Sequence, residues 1–182
     1  MLVGIAHSAE PHELVVSLFQ TEQNLQIVAA PERVEVCILY PKKPWFSRKH
    51  PTKYREGRYA TLSSTDAALV SNKLIDQKTY NWDSAKACMP TFNARLRFHR
   101  ANQVVEADLC FDCDIIVFRK MGSPLGGEDI DSVSGELFEI VRFHFPHDRV
   151  VHLIIAVNEE RKQNRLEIEE AIQCEAQRKG PP

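Results

Sequence analysis

The sequence predicts an α+β fold in which an antiparallel sheet of about five strands carries helices packed on one face. Three observations predict it. Alternating apolar and polar residues indicate strands near 34–40, 94–100 and 104–112. Apolar residues at helical spacing indicate helices near 64–76 and 132–144. A content of 43% hydrophobic and 26% charged residues is typical of a globular chain with a core.

The first half of the chain is predicted to form a short helix, two strands and a longer helix. A proline followed by a one-sided apolar stripe favours an opening helix over 11–19. The strand at 34–40 ends where a proline follows it, and a weaker pattern predicts a second strand over 55–62. Ser63 can cap the helix at 64–76, which we expect to pack on the sheet.

The clearest signal is a β-hairpin centred on Ala101 and Asn102. Folding the chain there places opposite charges together on one face and apolar residues together on the other. The predicted pairs are Arg95–Asp108, Arg97–Glu106, Leu96–Ala107 and Phe98–Val105. Because two independent patterns agree on one register, the sequence predicts this pairing strongly.

The second half of the chain adds one strand and at least one helix. A β-branched and aromatic run predicts a strand at 115–119, and 121–131 holds three of the seven glycines and is interpreted as a mobile loop. The helix at 132–144 begins at a serine that can cap it. Periodicity leaves 149–157 open between strand and helix.

The length and the net charge limit the domain organisation and the kinds of partner that we expect for this chain. The 182 residues suggest one domain over 1–158, followed by a charged, helical C-terminal tail over 159–182. A formal net charge of −2 gives no overall field toward nucleic acid or an acidic membrane. Five sparse cysteines, no signal-like start and no long apolar run favour a cytoplasmic protein without a membrane span.

Cys110 and Cys113 form a CxxC pair to which Cys88 could contribute. Residues three apart in a regular strand point to opposite faces, so we expect the two CxxC sulfurs to diverge, and nearby carboxylates disfavour a reactive thiolate. This favours a structural role. A zinc site or a thiol-redox site using Cys88, Cys110 and Cys113 stays open as the alternative. A bridge from Cys88 to either is feasible within about 7 Å between Cα atoms.

These cysteines also carry a resemblance. The runs 33–36, 88–90, 93–98 and 109–113 resemble a group of small uncharacterised bacterial proteins that share a Cys-aromatic-x-Pro start, a hairpin and a Leu/Ile-Cys-Phe-acidic-Cys end. The aromatic residue of that pattern is missing at Met89, where the spacing to the proline is also one residue shorter. The resemblance implies a bacterial protein whose cysteines act as a unit, and it implies no reaction.

A basic segment at 41–58 is the strongest candidate binding site. Its excess charge is +6, which leaves −8 on the remainder of the chain. The basic residues are Lys42, Lys43, Arg48, Lys49, Lys53, Arg55 and Arg58, and the proposed apolar anchors are Trp45, Phe46 and Tyr54. Exposed cations interleaved with aromatics favour contact with an acidic protein surface; a nucleic acid is the weaker alternative.

Several enzyme classes lose their usual support in this sequence. It has no GxGxxG after a predicted strand, no GxxxxGK[ST], no GxSxG and no HExxH. We therefore expect a non-catalytic interaction module without a cofactor, with zinc as the cofactor of the cysteine-centred alternative.

Overall fold

A computed structural model describes residues 13–42, 53–83 and 86–179. They form five α-helices and a seven-stranded antiparallel sheet, which confirms the predicted α+β class. The helices are α1 (Glu13–Phe19), α2 (Glu22–Ala29), α3 (Ser64–Ile75), α4 (Asp131–His144) and α5 (Arg149–Lys179). The strands are β1 (Arg33–Pro41), β2 (Tyr54–Glu56), β3 (Ala60–Thr61), β4 (Ala94–Arg100), β5 (Gln103–Cys110), β6 (Ile115–Lys120) and β7 (Ser123–Asp129).

The strands lie in the order β2-β1-β4-β5-β6-β7, and β3 also pairs with β1. The predicted hairpin is β4–β5. Arg95 lies opposite Asp108, and the apolar pairs take the predicted positions as well. Ala101 and Asn102 both have positive φ angles, as a tight two-residue hairpin turn requires.

The predicted strand at 55–62 is wrong in its continuity, because the chain forms β2 and β3 separated by three residues. At this break the Gly57 N–H donates to the Ile38 carbonyl at 2.8 Å. A Cβ atom on Gly57 would lie 3.1 Å from the Tyr40 ring. Glycine therefore lets the chain turn close against β1.

The prediction of a mobile loop at 121–131 is wrong, because most of these residues form β7 at the edge of the sheet. Met121 and Gly122 make the turn from β6, both with positive φ. A Cβ atom on Gly126 would lie only 2.5 Å from the Leu18 carbonyl oxygen of α1. Glycine in β7 thus permits close packing of α1 rather than flexibility.

The helices at 64–76 and 132–144 are confirmed as α3 and α4. Ser63 caps α3 as predicted, since its Oγ accepts the Asp66 N–H at 3.1 Å. Ser132 does not cap α4, which begins one residue earlier. Its hydroxyl instead donates to the Thr79 carbonyl at 2.9 Å and so fixes α4 to the segment after α3.

Two short helices precede the sheet. α1 confirms the predicted opening helix, whereas α2 was not predicted. Thr21 caps α2 by accepting the Asn24 N–H at 3.2 Å, and Gln20 between the two helices has a φ of 63°. Only Gln20 and Thr21 lie between α1 and α2. Because this connection is so short, the apolar pattern of the opening helix did not reveal that a second helix begins here.

The main core lies between one sheet face and the helices. Phe19 of α1 lies 4.3 Å from Phe118 of β6 between ring centroids, and Phe111 lies 5.3 Å from Phe138 of α4. The opposite face carries a smaller buried group, here called the second-face cluster. It consists of Cys37, Leu39, Phe92, Cys110 and Cys113.

The undecided segment 149–157 is helical and opens α5, which continues without a break to Lys179. Only its first two turns enter the core, through Val150, Val151 and Ile154. The predicted boundary at 158 therefore falls inside one helix, just after its buried part. Within the described residues, no helix is both long enough and apolar enough to cross a bilayer.

Candidate functional site

The basic segment 41–58 contains the last residue of β1, all of β2 and the connection between these two paired strands. Pro41 pairs with Tyr54, and the Lys42 N–H donates to the Lys53 carbonyl at 2.9 Å, which closes the hairpin. Residues 43–52 lie outside the described part of the chain. The predicted site residues among them are Lys43, Trp45, Phe46, Arg48 and Lys49.

The described basic residues of the segment are exposed, but its described aromatic residue is not a free anchor. Lys42, Lys53, Arg55 and Arg58 are all exposed. Tyr54 is half-buried against the second-face cluster. Its hydroxyl accepts the Phe92 N–H at 3.1 Å, and its ring meets the Phe92 ring edge-on. The Tyr54 side chain therefore fixes β2 to the sheet, and its contact with a partner stays a prediction.

Two of these cations line a groove that extends beyond the predicted segment. The groove has a volume of about 650 Å³ and is named here the basic groove. Its lining residues are Tyr40, Pro41, Lys42, Arg55, His147, Asp148 and Arg149. The basic groove thus brings together residues that are far apart in sequence. They come from the end of β1, the start of β2 and the α4–α5 connection.

Tyr40 and Asp148 form the floor of the basic groove. The Tyr40 hydroxyl donates to Asp148 Oδ2 in a short hydrogen bond, and Asp148 Oδ1 caps α5 by accepting the Val150 N–H at 2.9 Å. Burial and the bond to Asp148 raise the pKa of Tyr40 to about 12, so the hydroxyl keeps its proton at neutral pH. Arg55 stacks on the Tyr40 ring at 4.5 Å from its centroid.

The cations of the basic groove lack carboxylate partners. Among the described residues, no carboxylate lies within ion-pair distance of Lys42, Arg55 or Arg149. Asp148 is the one acidic lining residue, and its two oxygens already accept hydrogen bonds. Three cations against this carboxylate leave a net charge of +2 with His147 neutral.

The arginines of the second sheet face are arranged in the opposite way. Each is neutralised across the strands, and the predicted charge pairs of the β4–β5 hairpin form as expected. The contacts are Arg95–Asp108 at 2.5 Å, Arg95–Glu56 at 2.7 Å, Arg97–Glu106 at 2.8 Å and Arg119–Asp108 at 2.8 Å. This face is therefore an internally satisfied ion-pair network.

A second groove near the β4–β5 turn is a weaker binding candidate. It measures about 660 Å³ and includes Arg97, His99 and Glu106 in its lining. Arg97 is paired with Glu106, and His99 Nε2 lies 2.7 Å from Glu35 Oε2. Lys120, the remaining cation of this groove, donates only to the amide oxygens of Asn24 and Gln103. The second groove therefore holds one cation without a carboxylate partner, whereas the basic groove holds three.

The sequence did not identify Tyr40, His147 and Arg149 as site residues. Tyr40 reads as an ordinary strand residue, and His147 and Arg149 lie about a hundred positions from Lys42. The available signal was the pattern Pro-His-Asp-Arg at 146–149, in which Asp148 is a capping type before an apolar run. That pattern predicts where a helix begins, but it does not predict that this helix start lies beside the end of β1 and the start of β2.

Cys88 and Cys113 form a disulfide with a Cα–Cα distance of 6.2 Å. This resolves which bridge forms, because Cys110 has a free thiol. Cys88 is exposed, whereas Cys113 is 7% exposed. Both oxidised sulfurs are unable to ligate zinc in this state. Among the described residues, no group of three His, Cys, Asp or Glu side chains is arranged to hold a metal ion.

The expectation that Cys110 and Cys113 face opposite sides of the sheet is wrong. β5 ends at Cys110, and residues 111–114 form a turn, so the two-residue period of a strand does not apply. Both sulfurs consequently lie in the second-face cluster with Cys37. Burial raises the pKa of the Cys110 thiol, and it raises that of Cys37 to about 11.

Lys86 connects two carboxylates with the backbone of Cys113, one of the disulfide-bonded residues. Lys86 Nζ lies 2.9 Å from Asp129 Oδ1 and 2.5 Å from Asp131 Oδ1, and it donates to the Cys113 carbonyl at 2.8 Å. Burial alone would lower the pKa of Lys86, but the bonds to Asp131 and Asp129 outweigh it and raise the pKa. Lys86 and the disulfide therefore fasten the same segment to the β5–β6 turn.

No protein-family model, curated protein or solved structure matches the chain.

Proposed function

We propose that the chain is a non-catalytic interaction module that binds an acidic protein through the basic groove and the 41–58 segment. One observation carries the proposal: Lys42, Arg55 and Arg149 converge on one groove without carboxylate partners among the described residues. Cations left uncompensated at a surface attract and orient an acidic partner. By contrast, Arg95, Arg97 and Arg119 of the sheet are neutralised by neighbouring carboxylates.

The groove suits carboxylates in particular. Arg55 is held over the Tyr40 ring in the free protein. Its side chain therefore loses less conformational entropy when a ligand binds. An arginine can bind a carboxylate through two parallel hydrogen bonds, and the groove supplies Arg55 and Arg149 for this purpose. The bonded Asp148 offers little competition, because Tyr40 and the start of α5 occupy its oxygens.

A labelled oligoglutamate peptide tests the proposal. The reversal Lys42→Glu/Arg55→Glu/Arg149→Glu should weaken its binding at least about tenfold at low salt. The matched control Lys78→Glu/Lys162→Glu/Arg165→Glu changes the net charge equally at exposed positions away from the groove, and it should lose much less. Equal losses in both triple variants would contradict a specific site. Tighter binding of single-stranded DNA than of oligoglutamate would instead favour a nucleic-acid partner.

The cysteine-centred alternative is a second candidate, favoured by the Cys88–Cys113 bridge, in which Cys88 is an exposed residue. In a reducing cytoplasm, the location that the sparse cysteines favour, the same positions would hold two thiols. Asp112 and Asp114 flank Cys113, and acidic neighbours raise the pKa of a leaving thiol and slow exchange. This favours a structural bridge over a fast oxidoreductase.

Thiol titration and elemental analysis separate these possibilities. As purified, the denatured protein should expose two thiols fewer than after full reduction. Exchange with a small dithiol reductant should be slow in the folded protein for a structural bridge. Rapid, reversible exchange would favour a redox function, and stoichiometric zinc in the reduced protein would favour the metal-binding alternative.

A further inference from the structure

Cys113 is placed with two other cysteines, one exposed and one buried. Its sulfur is bonded to that of Cys88, which is an exposed residue. It also belongs to the second-face cluster together with Cys110, whose thiol is free and which is fully buried. The disulfide therefore has a free thiol of the same protein beside it, on the buried side of the bridge.

The turn after β5 brings Cys110 and Cys113 within the distance that a disulfide requires. β5 ends at Cys110, and the turn at 111–114 follows directly. The first and last Cα atoms of a four-residue turn lie within about 7 Å of each other. A disulfide requires roughly 4.4 to 6.8 Å between Cα atoms. A bridge from Cys113 to Cys110 is therefore compatible with this turn.

Two opposing effects act on the Cys110 thiol. Burial has the largest effect and raises its pKa, and the Asp112 carboxylate adds to the rise. The backbone N–H groups of Cys113, Thr91 and Asp112 donate to its sulfur and act in the opposite direction. A thiolate is the species that attacks a disulfide. Because burial dominates, the Cys110 thiolate is a minor species, and its attack on the bridge should be slow.

Cys88 is the better leaving thiol of the bridge. Cys113 is 7% exposed and lies between Asp112 and Asp114, so both burial and charge disfavour a thiolate there. Cys88 is exposed, and its direct neighbours in the chain are uncharged. Because a better leaving thiol speeds exchange, an attack on the Cys113 sulfur, which expels Cys88, is favoured over an attack on the Cys88 sulfur.

The segment that carries Cys88 is also held by contacts that do not involve the bridge. Before Cys88, Lys86 Nζ donates to the Cys113 carbonyl at 2.8 Å. After Cys88, Asn93 Oδ1 accepts the Phe111 N–H at 2.9 Å. These contacts fasten both ends of the segment to the end of β5 and its turn. An exchange of the bridge therefore does not require unfolding.

We infer that Cys88 is a modification site whose thiol is released by Cys110. The Cys110 thiolate attacks Sγ of Cys113, so that the Cys110–Cys113 bond forms while the Cys88–Cys113 bond breaks. Cys88 leaves as a thiolate and takes up the proton that Cys110 has lost, so one bridge replaces another without net oxidation. The released Cys88 thiolate attacks the disulfide of a small thiol, which gives a mixed disulfide on Cys88 and one free small thiol.

This inference goes beyond binding at the basic groove and does not depend on it. It concerns the cysteines of the second candidate function, but it requires neither catalysis nor zinc. The structure shows the Cys88–Cys113 form, and reaction of the released Cys88 thiol draws the exchange forward.

N-ethylmaleimide, added to the folded protein without reductant, tests the inference. Peptide mapping of the native protein should find the label on Cys88 together with a Cys110–Cys113 bridge. In Cys110→Ala the attacking thiol is absent, so labelling of Cys88 should be at least about tenfold slower. Cys37→Ala is the matched control, because it removes the other free buried thiol. It should label Cys88 at the native rate.

The labelled residue in the native protein decides the question without any variant. Label on Cys110 or Cys37 beside an intact Cys88–Cys113 bridge would overturn the inference, because buried thiols would then react with the reagent rather than with the bridge. Absence of label from Cys88, or labelling at the same rate in Cys110→Ala, would overturn it as well. Incubation with oxidised glutathione should place glutathione on Cys88, and its attachment to another cysteine would contradict the proposed site.

Discussion

Arg95 and Asp108 face each other across β4 and β5, and the guanidinium contacts both carboxylate oxygens, with Nε 2.5 Å from Oδ1 and Nη2 3.0 Å from Oδ2. Arg119 binds Oδ2 from the next strand at 2.8 Å. The Asp108 side chain is only 2% exposed, so water cannot replace either partner. One buried carboxylate therefore joins three neighbouring strands.

Asp108→Ala should destabilise the fold strongly. Removing the carboxylate leaves Arg95 and Arg119 without their shared partner, and breaking a buried ion pair in this way costs about 3 to 5 kcal/mol. Urea unfolding measures the loss. Glu136→Ala is the control, because the Lys73–Glu136 pair is exposed and should contribute less than about 1 kcal/mol. Similar losses for the two variants would show that burial does not determine the strength of these pairs.

The Cys88–Cys113 bridge should stabilise the protein by about 3 kcal/mol, because it closes a loop of 25 residues in the unfolded chain. Reduction should therefore lower the free energy of unfolding of the native protein. Cys88→Ser should start from the lower value and respond little to reductant. A native protein as stable with reductant as without it would mean that the bridge constrains the unfolded chain very little.

The buried Cys37 thiol should make stability fall at alkaline pH. Its pKa is raised from 9.0 to about 11, chiefly by burial, so the folded state keeps a proton that the unfolded state loses first. Stability is thus retained below pH 9 and lost as the pH rises toward 11, by an amount on the order of 2 to 3 kcal/mol. Cys37→Ala should show a shallower decline. Parallel curves for the two proteins would assign the alkaline loss to other groups, such as the buried tyrosines.

Gly126→Ala should destabilise the edge of the sheet. The new methyl group would lie 2.5 Å from the Leu18 carbonyl oxygen and must push α1 away from β7, at a cost of about 1 to 3 kcal/mol. Gly135→Ala makes the same chemical change within α4, where nothing apart from the neighbouring backbone of α4 itself lies within 4 Å of the new methyl group. There it should stabilise the helix by up to about 1 kcal/mol. Thermal unfolding of both variants checks the opposite signs.

Local patterns were sufficient for much of the fold. The β4–β5 register followed from charge and apolar alternation, and both gave the pairing of Arg95 with Asp108. Ser63 marked the start of α3 for an equally local reason. Such features depend on neighbours within a hairpin or one helical turn, which the sequence displays directly.

Features that depend on distant contacts were missed. The glycines of β7 suggested a loop because the sequence does not reveal that α1 packs against them. A turn after Cys110 changed the direction of Cys113, which the strand period alone could not indicate. The basic groove was only half predicted, since Lys42 and Arg55 come from the basic segment whereas Arg149 is supplied by the packing of α5.

The backbone hydrogen bond between Lys42 and Lys53 closes the β1–β2 pairing at the point where the connection between the strands begins. The pairing of the two strands therefore does not depend on the residues that connect them. Loop closure depends only weakly on loop length, so a shorter, longer or wholly exchanged connection should leave the sheet intact. Related chains could thus acquire new recognition specificity by replacing that connection, and an engineer could graft a foreign peptide at the same place.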